Sequence, residues 1–148
     1  MPEVLLASAL VRSLPWLSPR ARAAIDFLIC DSGRTSSAEA LAARVGLSSR
    51  YQLARLLRNE GLPTYEMLTG WLSSLCWRME AERTGATLAV LSRRSQRALA
   101  ASYRLVRRIT GRRWSELRQA PAEDLVRRFV AQCHPPRHLA GSQYHTVN

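Results

Sequence analysis

The chain is 148 residues long, 47% hydrophobic, and carries 22 basic against 11 acidic residues, a net charge of +11. That length and apolar content fit one ordinary folded domain with a buried core and exclude global disorder. No apolar run approaches the ~20 residues needed to cross a bilayer, and every basic residue is Arg, a planar fork of donors suited to phosphate and guanine edges.

The opening EVLLASALV is short, has an acid ahead of it and lacks a basic leader. Residues 1–17 are therefore read as an N-terminal helical extension ending near Pro15, not as a signal peptide. Ser18-Pro19 has the form of a helix start, and ARAAIDFLIC then places Ala24, Ile25, Leu28 and Ile29 on one face. DSGRTSS breaks that helix, and Ser36 with Glu39 forms a capping box for a helix to about Val45. Gly46 suits a left-handed C-cap, and Ser48-Ser49 make a turn. The next helix carries Leu53, Leu56 and Leu57 inward and ends at Gly61.

Pro63-Thr64 opens the longest periodic stretch, about 64–84, with Met67, Leu68, Trp71, Leu72, Leu75 and Cys76 in one stripe. At ~1.5 Å per residue such a helix is about 30 Å long. Thr87 caps a short helix containing Leu88, Val90 and Leu91. After RRSQR, a helix over about 98–110 turns Ala98, Ser102, Leu105, Val106 and Ile109 inward and stops at Gly111. Trp114 begins a closing helix, a C-terminal helix covers 121–134, and 135–148 reads as a flexible tail. Trp71 and Trp114 fall at core positions, so neither is read as a stacking platform.

An internal repeat links two of these segments. Leu41-Ala42 align with Val90-Leu91, Gly46 with Ser95, Leu57-Arg58 with Val106-Arg107, Gly61 with Gly111, and Pro63-Thr64 with Arg113-Trp114. A repeat predicts a paired architecture. Here it predicts two helix-turn-helix units, about 36–61 and 87–111, joined by the long helix: an all-α chain with short extra helices at both ends.

Charge is concentrated in the second unit. Between Arg93 and Arg118 lie Arg97, Arg104, Arg107, Arg108, Arg112 and Arg113, together with Arg94, against the single acid Glu116. That imbalance favours a polyanion partner over a merely solvated face. Enzyme signatures are lacking: there is no glycine-rich phosphate loop, nucleophile elbow or H-E-x-x-H, and all three His follow Cys133. Cys30, Cys76 and Cys133 suggest no disulfide framework and fit a reducing cytoplasm. Cys133, His134 and His138 are interrupted by Pro135-Pro136, so neither a metal nor another cofactor is expected.

The stretch from about Arg22 to Arg118 resembles the AraC/XylS-type DNA-binding domain of bacterial transcription regulators. The resemblance is carried by Leu41-Ala42, Gly46, Leu53, Arg55, Leu57-Arg58 and Gly61, then by Val90, Arg104, Val106-Arg107, Gly111 and Arg118. Departures are Ser95-Gln96 for the family's Gly-Phe, Leu57, Ser102 and Val106 for its aromatic core residues, and Trp114 for its late proline. The resemblance implies a DNA-binding domain over 18–120 with two recognition helices joined by a connecting helix. The expected function is sequence-specific binding of double-stranded DNA in transcription regulation, in the cytoplasm at the nucleoid and with no role for a membrane. Base-reading candidates are Arg50, Tyr51, Ala54 and Arg55 in the first unit and Arg97, Ala101 and Arg104 in the second. Phosphate candidates are Arg58, Arg107, Arg108, Arg112 and Arg113. With no stretch long enough for an effector domain, RNA polymerase or a sensor chain are the further expected partners. The alternatives are a degenerate protein-interaction module and a sequence-indifferent nucleic-acid binder.

Overall fold

The computed structural model describes residues 2–31 and 37–136, and every regular element among them is helical. In chain order these are α1 (Pro2–Ser13), α2 (Pro19–Cys30), α3 (Ala38–Arg44), α4 (Arg50–Asn59), α5 (Tyr65–Thr84), α6 (Leu88–Arg94), α7 (Leu99–Thr110), α8 (Trp114–Leu117) and α9 (Ala122–Ala131). Short polar side chains set five of the starts. Ser18, Ser37, Ser49, Thr64 and Thr87 each accept a hydrogen bond from a backbone N–H three residues on. Such a cap contributes about 1 kcal/mol. Ser37 holds the start of α3; Ser36, expected there from the capping-box pattern, lies outside the described residues, as does most of the C-terminal tail.

α5 is the axis of the structure. The sequence suggests one apolar stripe, but the unbroken run from Trp71 to Arg78 is buried on every side. Met67, expected in the stripe, is exposed instead. The reason is tertiary: α1, α2, α6, α7 and α9 all pack against this one helix. Leu6, Leu10 and Leu14 bring α1 into the same core as Phe129 of α9, whose ring lies 5.7 Å from that of Trp71. At Gly70 the closest approach is to α7. An added Cβ there would stand 2.6 Å from Ile109, so glycine is what lets the two helices touch. No helix among the described residues is long and apolar enough to cross a membrane.

Polar clamps fasten the ends of the chain to this core. Arg78, buried in α5, donates through Nε to the Leu117 carbonyl at 2.9 Å and through Nη2 to the Ala120 carbonyl at 2.6 Å. One turn later Glu82 accepts the Ala122 N–H at 2.7 Å, capping α9. Trp16 Nε1 donates to the Glu60 carbonyl at 2.9 Å, and the Glu60 side chain accepts from the Ser18 N–H at 2.6 Å and from the Ser18 hydroxyl. Glu60 therefore joins the end of α4 to the start of α2, where a carboxylate also suits the helix dipole. The His134 N–H closes on the Gly61 carbonyl at 2.9 Å. Gly61 has φ +73°, and a side chain there would collide with the His134 backbone.

Two expected outcomes follow from this burial. Arg78→Met keeps the aliphatic bulk but removes the donors to the Leu117 and Ala120 carbonyls, and is expected to lower stability by about 3 kcal/mol, read from the urea midpoint. Desolvation raises the Cys76 and Cys133 thiols to about 12, whereas Cys30 is exposed. A thiol reagent at neutral pH should label Cys30 quickly and the other two only on unfolding. The unfolded chain releases those thiol protons near 9.0, so stability holds below that pH and falls as pH rises from there toward 12. Thermal melting across that range reads the slope.

Candidate nucleic-acid interface

The helix pairs α3–α4 and α6–α7 share a hydroxyl cap, a left-handed turn residue and similar buried positions, in a register that differs from the sequence alignment. Ser37 and Thr87 cap the first helix of each pair, and Gly46 and Gln96 both take a left-handed turn conformation, at φ +79° and +56°. Leu41-Ala42 therefore correspond to Leu91-Ser92, the buried residues, and not to Val90-Leu91. Gly46 corresponds to Gln96, and not to Ser95. The register slips inside the turn, where Leu47, Ser48 and Ser49 lead into α4 but only Arg97 and Ala98 lead into α7. It slips back at the helix ends, so that Gly61 and Gly111 again agree.

The second helices also correspond through their buried residues. Leu53 and Leu57 of α4 match Ser102 and Val106 of α7. Where the first pair buries the apolar Ala42 and Leu53, Ser92 donates to Ser102 in the second, with their hydroxyl oxygens 2.7 Å apart in the core. Two small hydroxyls replace two apolar residues and satisfy each other. Arg55 then falls with Arg104 and Arg58 with Arg107.

On α4, Arg50, Tyr51, Ala54, Arg55 and Arg58 are all exposed, with Tyr51, Arg55 and Arg58 on the side away from buried Leu53 and Leu57. Arg50 lies 5.1 Å above the Tyr51 ring, donates to its hydroxyl at 3.2 Å and reaches Glu39 at 3.5 Å. Arg55 and Arg58 have no side-chain partner among the described residues, which leaves both guanidiniums available. Neither α4 nor α7 contains an acid.

On α7 the 3.6-residue period divides the surface cleanly. Ser102, Leu105, Val106, Ile109 and Thr110 are buried, whereas Tyr103, Arg104, Arg107 and Arg108 are exposed and Ala101 is half-buried. Ala98, expected inward, is the exposed cap residue. Arg97 stands outside α7, in the turn at the place of Leu47, with its guanidinium 5.8 Å from the centre of the Trp77 ring. Trp77 in turn donates to the Ser95 hydroxyl at 3.1 Å. Arg97, Ala101, Arg104 and Arg108 line one shallow depression.

Arg104 also lines a second hollow, of about 390 Å³ between α7 and α8, with Tyr103, Arg107, Arg113 and Arg118. Arg112 is not part of it. That side chain lies on the α9 side, in a depression shared with Glu116 and Asp124, where an anion meets carboxylates. Tyr103 and Arg118 are not among the base-reading or phosphate candidates that the sequence suggests. The signal for Tyr103 was an aromatic set among arginines in SYRLVRR, four residues before Arg107 on the same helical face. Trp71, Trp77 and Trp114 are buried. Among the described residues no group of His, Cys, Asp and Glu could hold a metal, and His138 lies outside them.

No family model, no curated protein and no solved structure matches this chain. The likeness to the AraC/XylS-type domain rests on the residues named above alone.

Proposed function

We propose that the protein is a sequence-specific double-stranded DNA-binding regulator of transcription, with α3–α4 and α6–α7 as two helix-turn-helix units. The observation that carries this reading is the pairing of Arg55 with Arg104 and Arg58 with Arg107. Both pairs sit on exposed, acid-free faces of helices whose opposite faces are buried. A solvated surface needs no such correspondence, whereas two reading heads do.

In this reading Arg50, Tyr51, Ala54 and Arg55 meet base edges in one major groove, and Ala101 and Arg104 meet them in the next. An Arg that forks onto guanine contributes about 1–3 kcal/mol of discrimination. Arg58, Arg107, Arg108 and Arg113 hold phosphates and set register. Arg97, docked over Trp77, positions the turn, and the carboxylates beside Arg112 make it the weakest of the phosphate candidates. α5 separates the units by a helix about 30 Å long, close to the ~34 Å between successive major grooves on one side of a duplex.

Selection of bound sites from a random duplex pool at ~150 mM salt tests the reading directly. Two short boxes about one helical turn apart (~10 bp) are expected. Binding without enrichment would instead establish a sequence-indifferent electrostatic binder, and no binding would turn the assignment toward a protein partner. On the selected site, Arg104→Ala is expected to weaken specific binding tenfold or more by titration, with nonspecific binding little changed. Equal losses on both probes would remove Arg104 from base reading. Replacing Arg107 and Arg108 by Ala together should flatten the dependence of log K on log salt by about one to two units.

A further inference from the structure

The hollow between α7 and α8 joins an exposed aromatic ring to a cluster of arginines. It is lined by Arg104, Arg107, Arg113 and Arg118 together with Tyr103, Trp114 and Ser115. None of the four guanidiniums has a hydrogen-bond or ion-pair partner among the described residues, and the Tyr103 side chain, 47% exposed, has none either. Four uncompensated cations lining one hollow repel one another, and an anion between them relieves that repulsion.

Tyr51 makes the contrast. It is the more exposed tyrosine, at 71%, but Arg50 already covers its ring and bonds its hydroxyl. Tyr51 is satisfied on an open helix face, whereas Tyr103 is unsatisfied beside a cavity. The face of a tyrosine stacks on the face of a base, and in a duplex those faces are hidden in the stack. At about 390 Å³ the hollow has room for a single nucleotide.

We infer that the α7–α8 hollow binds an unpaired nucleotide of a single strand, with its base on Tyr103 and its flanking phosphates on Arg107, Arg113 and Arg118. The protein then favours a duplex that ends in, or opens into, single strand over a fully paired one. This inference rests on α7 facing nucleic acid, as in the proposed function, but not on sequence-specific duplex reading.

The test compares affinities at ~150 mM salt for a blunt duplex, the same duplex with a six-nucleotide thymidine overhang, and oligothymidylate alone. The overhang is expected to tighten binding about tenfold, the order that one stacked base supplies. The readout is the ratio of overhang to blunt affinity, so a general loss of binding or a change in fold cancels. Tyr103→Ala should bring the ratio to one, and Tyr103→Phe, which keeps the ring, should preserve it. A wild-type ratio near one, or a ratio unchanged in Tyr103→Ala, would overturn the inference while leaving duplex reading intact. Binding to oligothymidylate and to the overhang duplex with none to the blunt duplex would do the reverse, sustaining the hollow and removing the proposed regulator. Displacement of the overhang by thymidine monophosphate at equal concentration would overturn the strand as its ligand.

Discussion

Everything in this structure depends on the enclosure of α5. A helix buried around its whole circumference needs partners on every side, and the chain supplies them from both of its ends. α1 and α2 come from before it, and α6, α7 and α9 from after it. The two basic helix faces are thus held by one shared core. Enclosure also explains the polar residues in the middle of α5. Ser74 returns its hydroxyl proton to the Gly70 carbonyl at 2.9 Å, and Arg78 spends its donors on the carbonyls at the end of α8. A buried guanidinium left unpaired would cost several kcal/mol, so the position of the α8–α9 turn is coupled to the packing of α5.

The two helix pairs use one plan with different fillings. In the first, Gly46 takes the left-handed turn freely and Ala42 and Leu53 are buried apolar residues. In the second, Gln96 takes that conformation at a backbone cost of about 1–2 kcal/mol, and two serines replace the apolar residues. The second turn is shorter by one residue, and its inward anchor is Arg97 on Trp77 in place of Leu47. A less apolar core on that side leans more on α5 and on α9, where Arg128 Nη2 donates to the Thr110 carbonyl at 2.6 Å and caps the end of α7. The pair with the greater positive charge is accordingly the one tied most closely to the C-terminal helices.

Helix existence, caps and stops were legible in the sequence. Ser18-Pro19, Ser49, Pro63-Thr64, Thr87, Gly46, Gly61 and Gly111 act through local chemistry, a side-chain oxygen on a free N–H or a backbone that turns left-handed, and such effects need only near neighbours. The buried sets of α2 and α7 followed from helical period, apart from Ala98. The acid-free arginines of α4 and α7 were legible for the same reason, since 3.6-residue spacing alone separates them from Leu53, Leu57, Leu105 and Val106.

What the fold decided was everything that depends on who packs against whom. Only the convergence of five helices on α5 turned an expected stripe into a fully buried segment, exposed Met67 and gave Arg78 its carbonyls. Only the turn geometry moved the register of the repeat, drew Arg97 onto Trp77 and parted Arg112 from Arg113. Tyr103 and Arg118 join a single hollow because α8 folds back beside α7, a meeting of residues distant in sequence that periodicity does not encode. Local hydrogen bonding and side-chain period reach about one helical turn along the chain; the site is assembled from contacts well beyond that reach.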